Sequence, residues 1–159
     1  MKIFFMRHAE AEDGPVDATR ALTVKGRRDA RAMGRFFRRA DLVFDYALTS
    51  PLVRAQQTAE EVLKQCPMER KKRLVRSRAL LNDAGVTALT RSLAKMSGDA
   101  NILLVGHEPS LSAHVRRFLG MDRGTSLPLS KGAVARVDVD AKRPKEGTLR
   151  LLIGPKQLS

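Results

Sequence analysis

Short apolar runs alternate with longer amphipathic stretches along this chain, and the alternation predicts the order of strands and helices. Lys2–Met6 is apolar after its first residue, which is typical of a strand covered on both faces. Val24–Ala40 instead repeats its apolar residues at helical spacing, with Thr23 as the predicted N-cap. The same criteria predict strands at Phe44–Leu48, Lys72–Arg76, Asn101–Val105, Gly132–Val139 and Thr148–Leu152, and helices at Pro51–Leu63, Val86–Met96 and Ser110–Leu119.

Strands separated by helices require crossover connections, which favour a largely parallel sheet. The sequence therefore predicts an α/β fold with three layers, in which helices cover both faces of a mostly parallel sheet. The last two strands have no helix between them, and we expect a turn around Pro144 and Gly147. No internal repeat or low-complexity linker is visible, so we expect residues 1–159 to form a single domain.

Composition and charge narrow the class of protein. Apolar residues make up 43% of the chain, which is enough for a substantial core, and the formal net charge is +13. Such a charge attracts acidic partners, although many of the basic residues fall on helix surfaces, where they serve solvation. The single cysteine, Cys66, fits a reducing compartment. With neither a secretory signal nor a membrane-spanning segment evident, we expect a cytoplasmic protein that does not enter the membrane.

Polar residues follow three of the predicted strands directly. Arg7 and His8 follow the first strand, Arg54 lies in "TSPLVRAQQTA" after the second, and His107 lies in "GHEPSLS" after Asn101–Val105. Ligands of parallel sheets bind beyond the carboxyl ends of the strands. We therefore expect these four side chains to meet at one rim, provided that the chain turns near Ala9. His114 lies within the following helix, and we assign it no role.

These residue types fit the chemistry of phosphoryl transfer. A guanidinium can hold two phosphate oxygens, and Arg54 would lie one turn into a helix for which Ser50 is the predicted cap. A neutral imidazole can attack phosphorus, and nearby arginines would keep His8 neutral while stabilising the transferred group. Each residue alone is equally compatible with a structural or solvent-facing role. The prediction of a phosphoryl site rests on their combination.

Four motifs together resemble the histidine phosphatase superfamily, with its phosphoglycerate mutase-like fold, and within it the SixA-type phosphohistidine phosphatases. They are "MRHAEA", "TRALTVKG", "LTSPLVRAQQTA" and "LLVGHEP", in the order that the family has them. The resemblance implies that His8 is the nucleophile and that His107 donates to a phosphate oxygen. It also implies that Arg7 and Arg54 hold the phosphate and that Arg20 faces the phosphate pocket. Where the superfamily usually has a glycine after the first histidine, this chain has Ala9.

The general acid is the main departure from that family pattern. Many phosphomonoesterases of this fold carry a glutamate where this chain has "RALLNDAGV", and Asp83 is the only carboxylate in that stretch. Phosphohistidine needs no strong acid, because protonated imidazole is a good leaving group, whereas an ester expels an alkoxide. We therefore predict a phosphatase that acts on phosphohistidine in proteins, with a small-molecule phosphomonoesterase that uses Asp83 as its acid as the alternative.

The predicted partner is a phosphorylated protein or a small phosphorylated substrate, with no cofactor and no metal. A third interpretation is a basic module that binds RNA or another polyanion with little catalysis. The chain has no recognised nucleic-acid motif and few aromatic residues for base stacking, so we do not expect nucleic acid as a partner. The sequence leaves the oligomeric state open.

Overall fold

The structure, a computed structural model, describes residues 1–66, 68–69, 73–96, 98–122, 124–140 and 142–158. Within these ranges it contains six strands, four α-helices and three short 3-10 helices. The strands are β1 (Lys2–Arg7), β2 (Tyr46–Thr49), β3 (Leu74–Arg76), β4 (Asn101–Gly106), β5 (Val134–Asp140) and β6 (Arg143–Ile153). The α-helices are α1 (Val24–Arg39), α2 (Val53–Leu63), α3 (Val86–Leu93) and α4 (Ser110–Phe118).

The six strands form one sheet in the order β3-β2-β4-β1-β5-β6. β3, β2, β4 and β1 are parallel to their neighbours, and β5 and β6 are added antiparallel at one side. This arrangement confirms the predicted α/β class and the mostly parallel sheet. β1 and β4 lie side by side in the middle, so the two strands that end before His8 and His107 are neighbours.

Alternating side chains of the central strands enter two separate cores. Ile3 and Phe5 of β1 pack with the buried residues of α3 and α4, whereas Phe4 and Met6 pack with those of α1 and α2. The nearly continuous apolar run of β1 is therefore explained by burial on both faces. Each of these central side chains is less than 5% exposed, and the two cores fix the ends of the strands between them.

The start of α1 is docked closely against the chain that follows His8. Thr23 caps the helix as predicted, because its hydroxyl accepts a hydrogen bond from the Gly26 amide at 2.9 Å. The Thr23 amide in turn donates to the Glu10 carbonyl at 3.0 Å. A Cβ atom at Gly26 would lie 2.0 Å from that same carbonyl oxygen, so only glycine fits at this contact.

Two local predictions were wrong. Pro144 and Gly147 lie inside β6, since β5 ends at Asp140 and β6 already begins at Arg143. Helix α2 begins at Val53 with Leu52 as its N-cap, so neither Ser50 nor Pro51 has the predicted helical position. The predicted strand Lys72–Arg76 is observed from Leu74, and Lys72 lies outside the described residues. In the part of the chain that the structure describes, no helix is long and apolar enough to cross a bilayer.

Candidate active site

The three adjacent parallel strands β2, β4 and β1 deliver the predicted residues to one rim. Arg7 is in register with Gly106, and Thr49 with Val105, so the three strands end at the same level. The His8 amide donates to the Gly106 carbonyl at 3.0 Å, which extends the pairing by one residue. His8 and His107 consequently face each other, with ring centroids 5.1 Å apart.

His8 is held in a single orientation by the turn that follows β1. Its Nδ1 lies 2.7 Å from the Ala9 carbonyl oxygen, which can only accept, so Nδ1 carries the proton and Nε2 keeps its lone pair. The Ala9 amide donates to the Thr58 hydroxyl at 3.0 Å, which fixes the turn against α2. Among the described residues other than glycine, only Asp41 has a positive φ, so Ala9 fits this turn without backbone strain.

Arg54 is buried, and Asp17 binds the end of its guanidinium. Nη1 donates to the Asp17 carbonyl at 2.7 Å, and Nη2 donates to the Asp17 carboxylate at 3.1 Å. Nε is buried and has no hydrogen-bond partner. The protein thus fixes one edge of the guanidinium and leaves the Nε edge available for a ligand.

Arg7 repeats this pattern on the other side of the site. Its Nη1 donates to the Leu129 carbonyl at 2.9 Å, whereas its Nε is buried without a partner. The loop before β5 therefore orients Arg7 through the main chain. In both arginines the protein satisfies the far end of the side chain and leaves Nε unpaired.

His107 is oriented by Ser50, whose hydroxyl oxygen lies 2.6 Å from Nε2. The same hydroxyl accepts from the Leu52 amide at 3.2 Å, so its own proton is free to go to the imidazole. Nε2 then accepts, and the ring proton resides on Nδ1, which is buried without a partner. His8 and His107 are accordingly held in the same Nδ1–H tautomer but present different edges to the site: His8 its Nε2 lone pair and His107 its Nδ1–H.

Three buried, unpaired donors therefore belong to this one site: Nε of Arg7, Nε of Arg54 and Nδ1 of His107. Buried N–H groups are normally paired, because leaving one unpaired costs about 1–3 kcal/mol. Such a cost is recovered when an anion with several oxygens occupies the site. The charges of Arg7 and Arg54 both act on His8, and the His107 ring faces it, so the donors gather around an imidazole whose Nε2 has a free lone pair.

Burial and charge keep both histidines neutral. Burial, together with the positive charges of Arg54 and Arg7, lowers the pKa of His8 to about 4 against the opposing hydrogen bond to Ala9. Burial likewise lowers the pKa of His107 to about 3, with His8 and Arg54 as the next causes. At neutral pH His8 is thus a neutral imidazole with a free lone pair, as a nucleophile must be.

Arg20 and Asp83 occupy different positions relative to this site. Arg20 donates to the Glu12 carbonyl at 2.7 Å and to the Asp17 carboxylate at 3.2 Å, so Asp17 links it to Arg54. Asp83 is exposed in the loop before α3, and its side chain has no hydrogen bond or ion pair among the described residues. Its neighbour Asn82 donates to the Glu108 carbonyl at 3.0 Å, which places this loop beside the segment after His107.

Sequence reasoning assigned no such role to three groups that organise the site. Asp17 lies three residues before Arg20, in a stretch with no periodic pattern, and only the fold shows that it reaches Arg54. Ser50 was interpreted as a helix cap, and its bond to His107 depends on the pairing of β2 with β4. Thr58, four residues after Arg54, accepts from Ala9 and donates to the Arg54 carbonyl at 2.7 Å. No three His, Cys, Asp or Glu side chains gather into a metal-binding group within the described ranges.

A parallel sheet that delivers a histidine nucleophile and an arginine-lined anion site at its rim defines a phosphoryl-transfer enzyme of the phosphoglycerate mutase-like class. The sequence model of the histidine phosphatase superfamily (branch 1) matches residues 3–75. An uncharacterized protein of Picosynechococcus is 30% identical over 164 residues, which cover 99% of this chain and 99% of that protein. The phosphohistidine phosphatase SixA of Escherichia coli is 28% identical over 142 residues, covering 88% of this chain and 86% of the relative.

The solved structures agree with these sequence relationships. The structure of the protein histidine phosphatase SixA complexed with tungstate superimposes with a TM-score of 0.87 and 26% identity over 100% of both chains. This chain therefore belongs to the histidine phosphatase superfamily and is of the SixA type. The predicted family is confirmed, and with it a phosphatase reaction through a phosphorylated histidine of the enzyme.

Proposed function

We propose that this protein is a metal-independent phosphatase that hydrolyses phosphohistidine in phosphorylated proteins, with His8 as its nucleophile. One observation carries the assignment of roles: Arg7, Arg54 and His107 each present a buried, unpaired N–H beside the free Nε2 of His8. These donors match the oxygens of a phosphoryl group, and arginines supply the charge stabilisation that a divalent ion supplies elsewhere.

In the first step, Nε2 of His8 attacks the phosphorus and forms a new P–N bond. The P–N bond of the substrate breaks, and its electron pair goes to the substrate imidazole. That ring leaves as neutral imidazole, because its other nitrogen already carries a proton. The Nε groups of Arg7 and Arg54 and the Nδ1–H of His107 donate to the phosphoryl oxygens, whose charge they stabilise during transfer.

In the second step, water attacks the phosphorus of the phosphorylated enzyme and the bond to Nε2 breaks. Because Nδ1 of His8 keeps its proton on the Ala9 carbonyl, the phosphorylated ring is cationic. A cationic ring is a good leaving group, and the electron pair returns to Nε2. Inorganic phosphate leaves with both protons of the attacking water, as dihydrogen phosphate, and His8 is regenerated as the neutral tautomer that began the cycle.

The preference for phosphohistidine rests on the leaving group. "RALLNDAGV" contains no glutamate, and its Asp83 side chain is exposed rather than paired with a group of the site. Between α2 and β4, the described residues form β3, a 3-10 helix and the eight-residue α3, which is little material for a lid. A shallow site without a strong acid suits an imidazole on a protein surface better than a small alkyl phosphate.

A small-molecule phosphomonoesterase is the second candidate, because the hydrogen bond from Asn82 to Glu108 holds the Asp83 loop beside His107. The test compares kcat/KM for a phosphohistidine peptide and a phosphomonoester of similar size, in the wild type, His8→Ala and Asp83→Asn. We expect the phosphohistidine peptide to be the better substrate, Asp83→Asn to be without effect, and His8→Ala to be inactive.

Faster ester hydrolysis that is lost in Asp83→Asn would establish the second candidate instead. Polyanion binding without turnover of either substrate would favour the binding-module interpretation. Trapping the protein with labelled substrate under alkaline denaturation, which preserves phosphohistidine, tests the nucleophile independently. Label that persists in His8→Ala would show that another residue is phosphorylated.

A further inference from the structure

The mechanism proposed above gives the Asp17 carboxylate no role. Asp17 begins the 3-10 helix Asp17–Thr19, and its side chain is 63% exposed although it contacts the nearly buried Arg54. One carboxylate oxygen lies 3.1 Å from Nη2 of Arg54, and the other lies 3.2 Å from Nη1 of Arg20. Asp17 thus extends from the buried clamp to the mouth of the site.

The charges around Asp17 keep its carboxylate ionised. The hydrogen bond from Arg54 lowers the pKa of Asp17 against the opposing effect of burial, and the hydrogen bond from Arg20 lowers it further. The other titratable groups nearby are the neutral His107, whose pKa the Asp17 charge raises, and Asp13, which lies 3.5 Å from Arg20. An ionised carboxylate cannot donate a proton at neutral pH, so Asp17 does not replace the missing general acid.

The position of Asp17 relative to His8 indicates which part of a substrate it faces. His8 is 8% exposed and forms the floor of the site, and attack and departure at phosphorus are roughly in line. The leaving group therefore departs away from His8, toward solvent. The Asp17 carboxylate is 63% exposed, is bonded to Arg54 and acts on His107, so it lies between the buried donors and solvent. A fixed negative charge there favours a substrate whose ring is cationic before cleavage and opposes the charge that develops on a departing alkoxide.

We propose that Asp17 is a specificity-determining residue that favours phosphoramidates with a protonated nitrogen leaving group, phosphohistidine among them, over phosphate esters. The inference rests on the proposed function. The carboxylate acts by keeping the substrate ring protonated, so that P–N cleavage releases neutral imidazole. Arg54 donates to both the carboxylate and the main-chain carbonyl of Asp17. The hydrogen bond to the carbonyl does not depend on the Asp17 side chain.

Asp17→Asn tests this role, because the amide oxygen can still accept from Arg54 while the charge is removed. The matched control is Asp13→Asn, which removes the same charge from the same segment but does not contact Arg54. Kcat/KM is measured for a phosphohistidine peptide and for a phosphomonoester of similar size, as a function of pH. Tungstate affinity reports separately on whether the clamp is intact.

We expect Asp17→Asn to lower kcat/KM for the phosphohistidine peptide about three- to tenfold, as for one unit charge acting at the mouth of a partly solvated site. For this substrate the alkaline limb of the pH profile moves to lower pH, because the substrate ring loses its proton more readily. Hydrolysis of the ester stays the same or improves, tungstate still binds, and Asp13→Asn behaves as the wild type.

An equal loss on both substrates would overturn the inference, since it would mean that the side chain only holds Arg54. Values of kcat/KM that stay at the wild-type level for both substrates would overturn it as well. Both outcomes leave the proposed function standing, because wild-type turnover and the labelling of His8 test it separately. A wild-type protein that hydrolyses no phosphoramidate would overturn the proposed function and this inference together.

Discussion

The Ser50 hydroxyl lies 2.6 Å from Nε2 of His107, although 57 residues separate the two in sequence. The hydroxyl also accepts from the Leu52 amide, and when it donates its own proton to Nε2 the free N–H of His107 lies on Nδ1. The contact exists because β2 and β4 are parallel neighbours that end at the same level. A residue that sequence patterns assign to a helix terminus therefore sets the tautomer of a histidine in the active site.

Ser50→Ala should reduce kcat, because His107 loses the partner that fixes its tautomer. The loss of one hydrogen bond predicts an effect of about 3- to 10-fold, and steady-state kinetics would measure it. Ser110→Ala is the matched control, since the Ser110 hydroxyl donates at 3.0 Å to the main-chain carbonyl of the same histidine, not to its ring. Equal effects of the two substitutions would contradict a role in tautomer selection.

Arg54→Ala should lower the rate by about 10²–10³, by analogy with the removal of other preorganised donors that stabilise charge. Arg54→Lys should recover little of this, since an ammonium cannot bind Asp17 and a phosphate along two edges as a planar guanidinium can. Rates are compared together with thermal unfolding, with Arg38→Ala in the exposed last turn of α1 as the control. Near-normal turnover of folded Arg54→Ala would remove this residue from the clamp.

Phosphorylation of His8 should show no loss from protonation of the His8 ring as the pH is lowered to about 5, and any alkaline limb belongs to the substrate ring. The pKa of His8 is lowered to about 4, so the ring remains neutral throughout this range and gains a proton only below it. Rapid-quench measurement of the phosphoenzyme, corrected for hydrolysis of the free substrate, would give the profile. Loss of phosphorylation on acidification, with a midpoint near the ordinary histidine pKa of about 6.5, would contradict the lowered pKa of His8.

The same lowered pKa values predict acid destabilisation of the fold. His8 and His107 have folded-state pKa values of about 4 and about 3, below that of an unfolded histidine. The unfolded state therefore binds more protons as the pH falls below about 6.5, and the free energy of unfolding should decrease from there toward pH 4. Chemical denaturation at several pH values would measure the slope, and an increase on acidification would contradict it.

Activity should persist in the presence of a chelator. Guanidinium groups hold the phosphoryl oxygens in the proposed mechanism, so no step depends on a divalent ion. Initial rates are measured after dialysis against EDTA and again after addition of magnesium or zinc, and the expected rates are the same. Activity that disappears with the chelator and returns with either metal would contradict a metal-independent mechanism.

Gly26→Ala should destabilise the fold, although alanine normally favours a helix interior over glycine by up to about 1 kcal/mol. The new Cβ would lie 2.0 Å from the Glu10 carbonyl oxygen, and overpacking of this kind costs about 1–3 kcal/mol. Gly98→Ala is the control, since nothing lies within 4 Å of the Cβ position there. Equal unfolding free energies for the two variants would contradict the close contact between α1 and the segment after His8.

The order of elements and the central residues of the site could be predicted because each depends on a local pattern. The apolar runs of β1 and β4 mark strands that are buried on both faces, and the polar residues that follow them mark the rim. Asp17 and the Ser50–His107 bond could not be predicted, since each contact joins segments far apart in sequence. The prediction of a turn around Pro144 and Gly147 was wrong, because both residues are tolerated inside β6. This strand lies at the edge of the sheet, where a proline needs no hydrogen-bond partner on one side.

The basic residues of the edge strand β6 also affect how copies of the protein interact in concentrated solution. A long strand at the side of a sheet offers unpaired main-chain groups to other molecules and invites edge-to-edge aggregation. β6 carries Arg143, Lys145 and Arg150 together with Pro144, and most of its residues are exposed. Two such edges would bring like charges together, so these side chains oppose pairing between copies and help to keep the protein from aggregating.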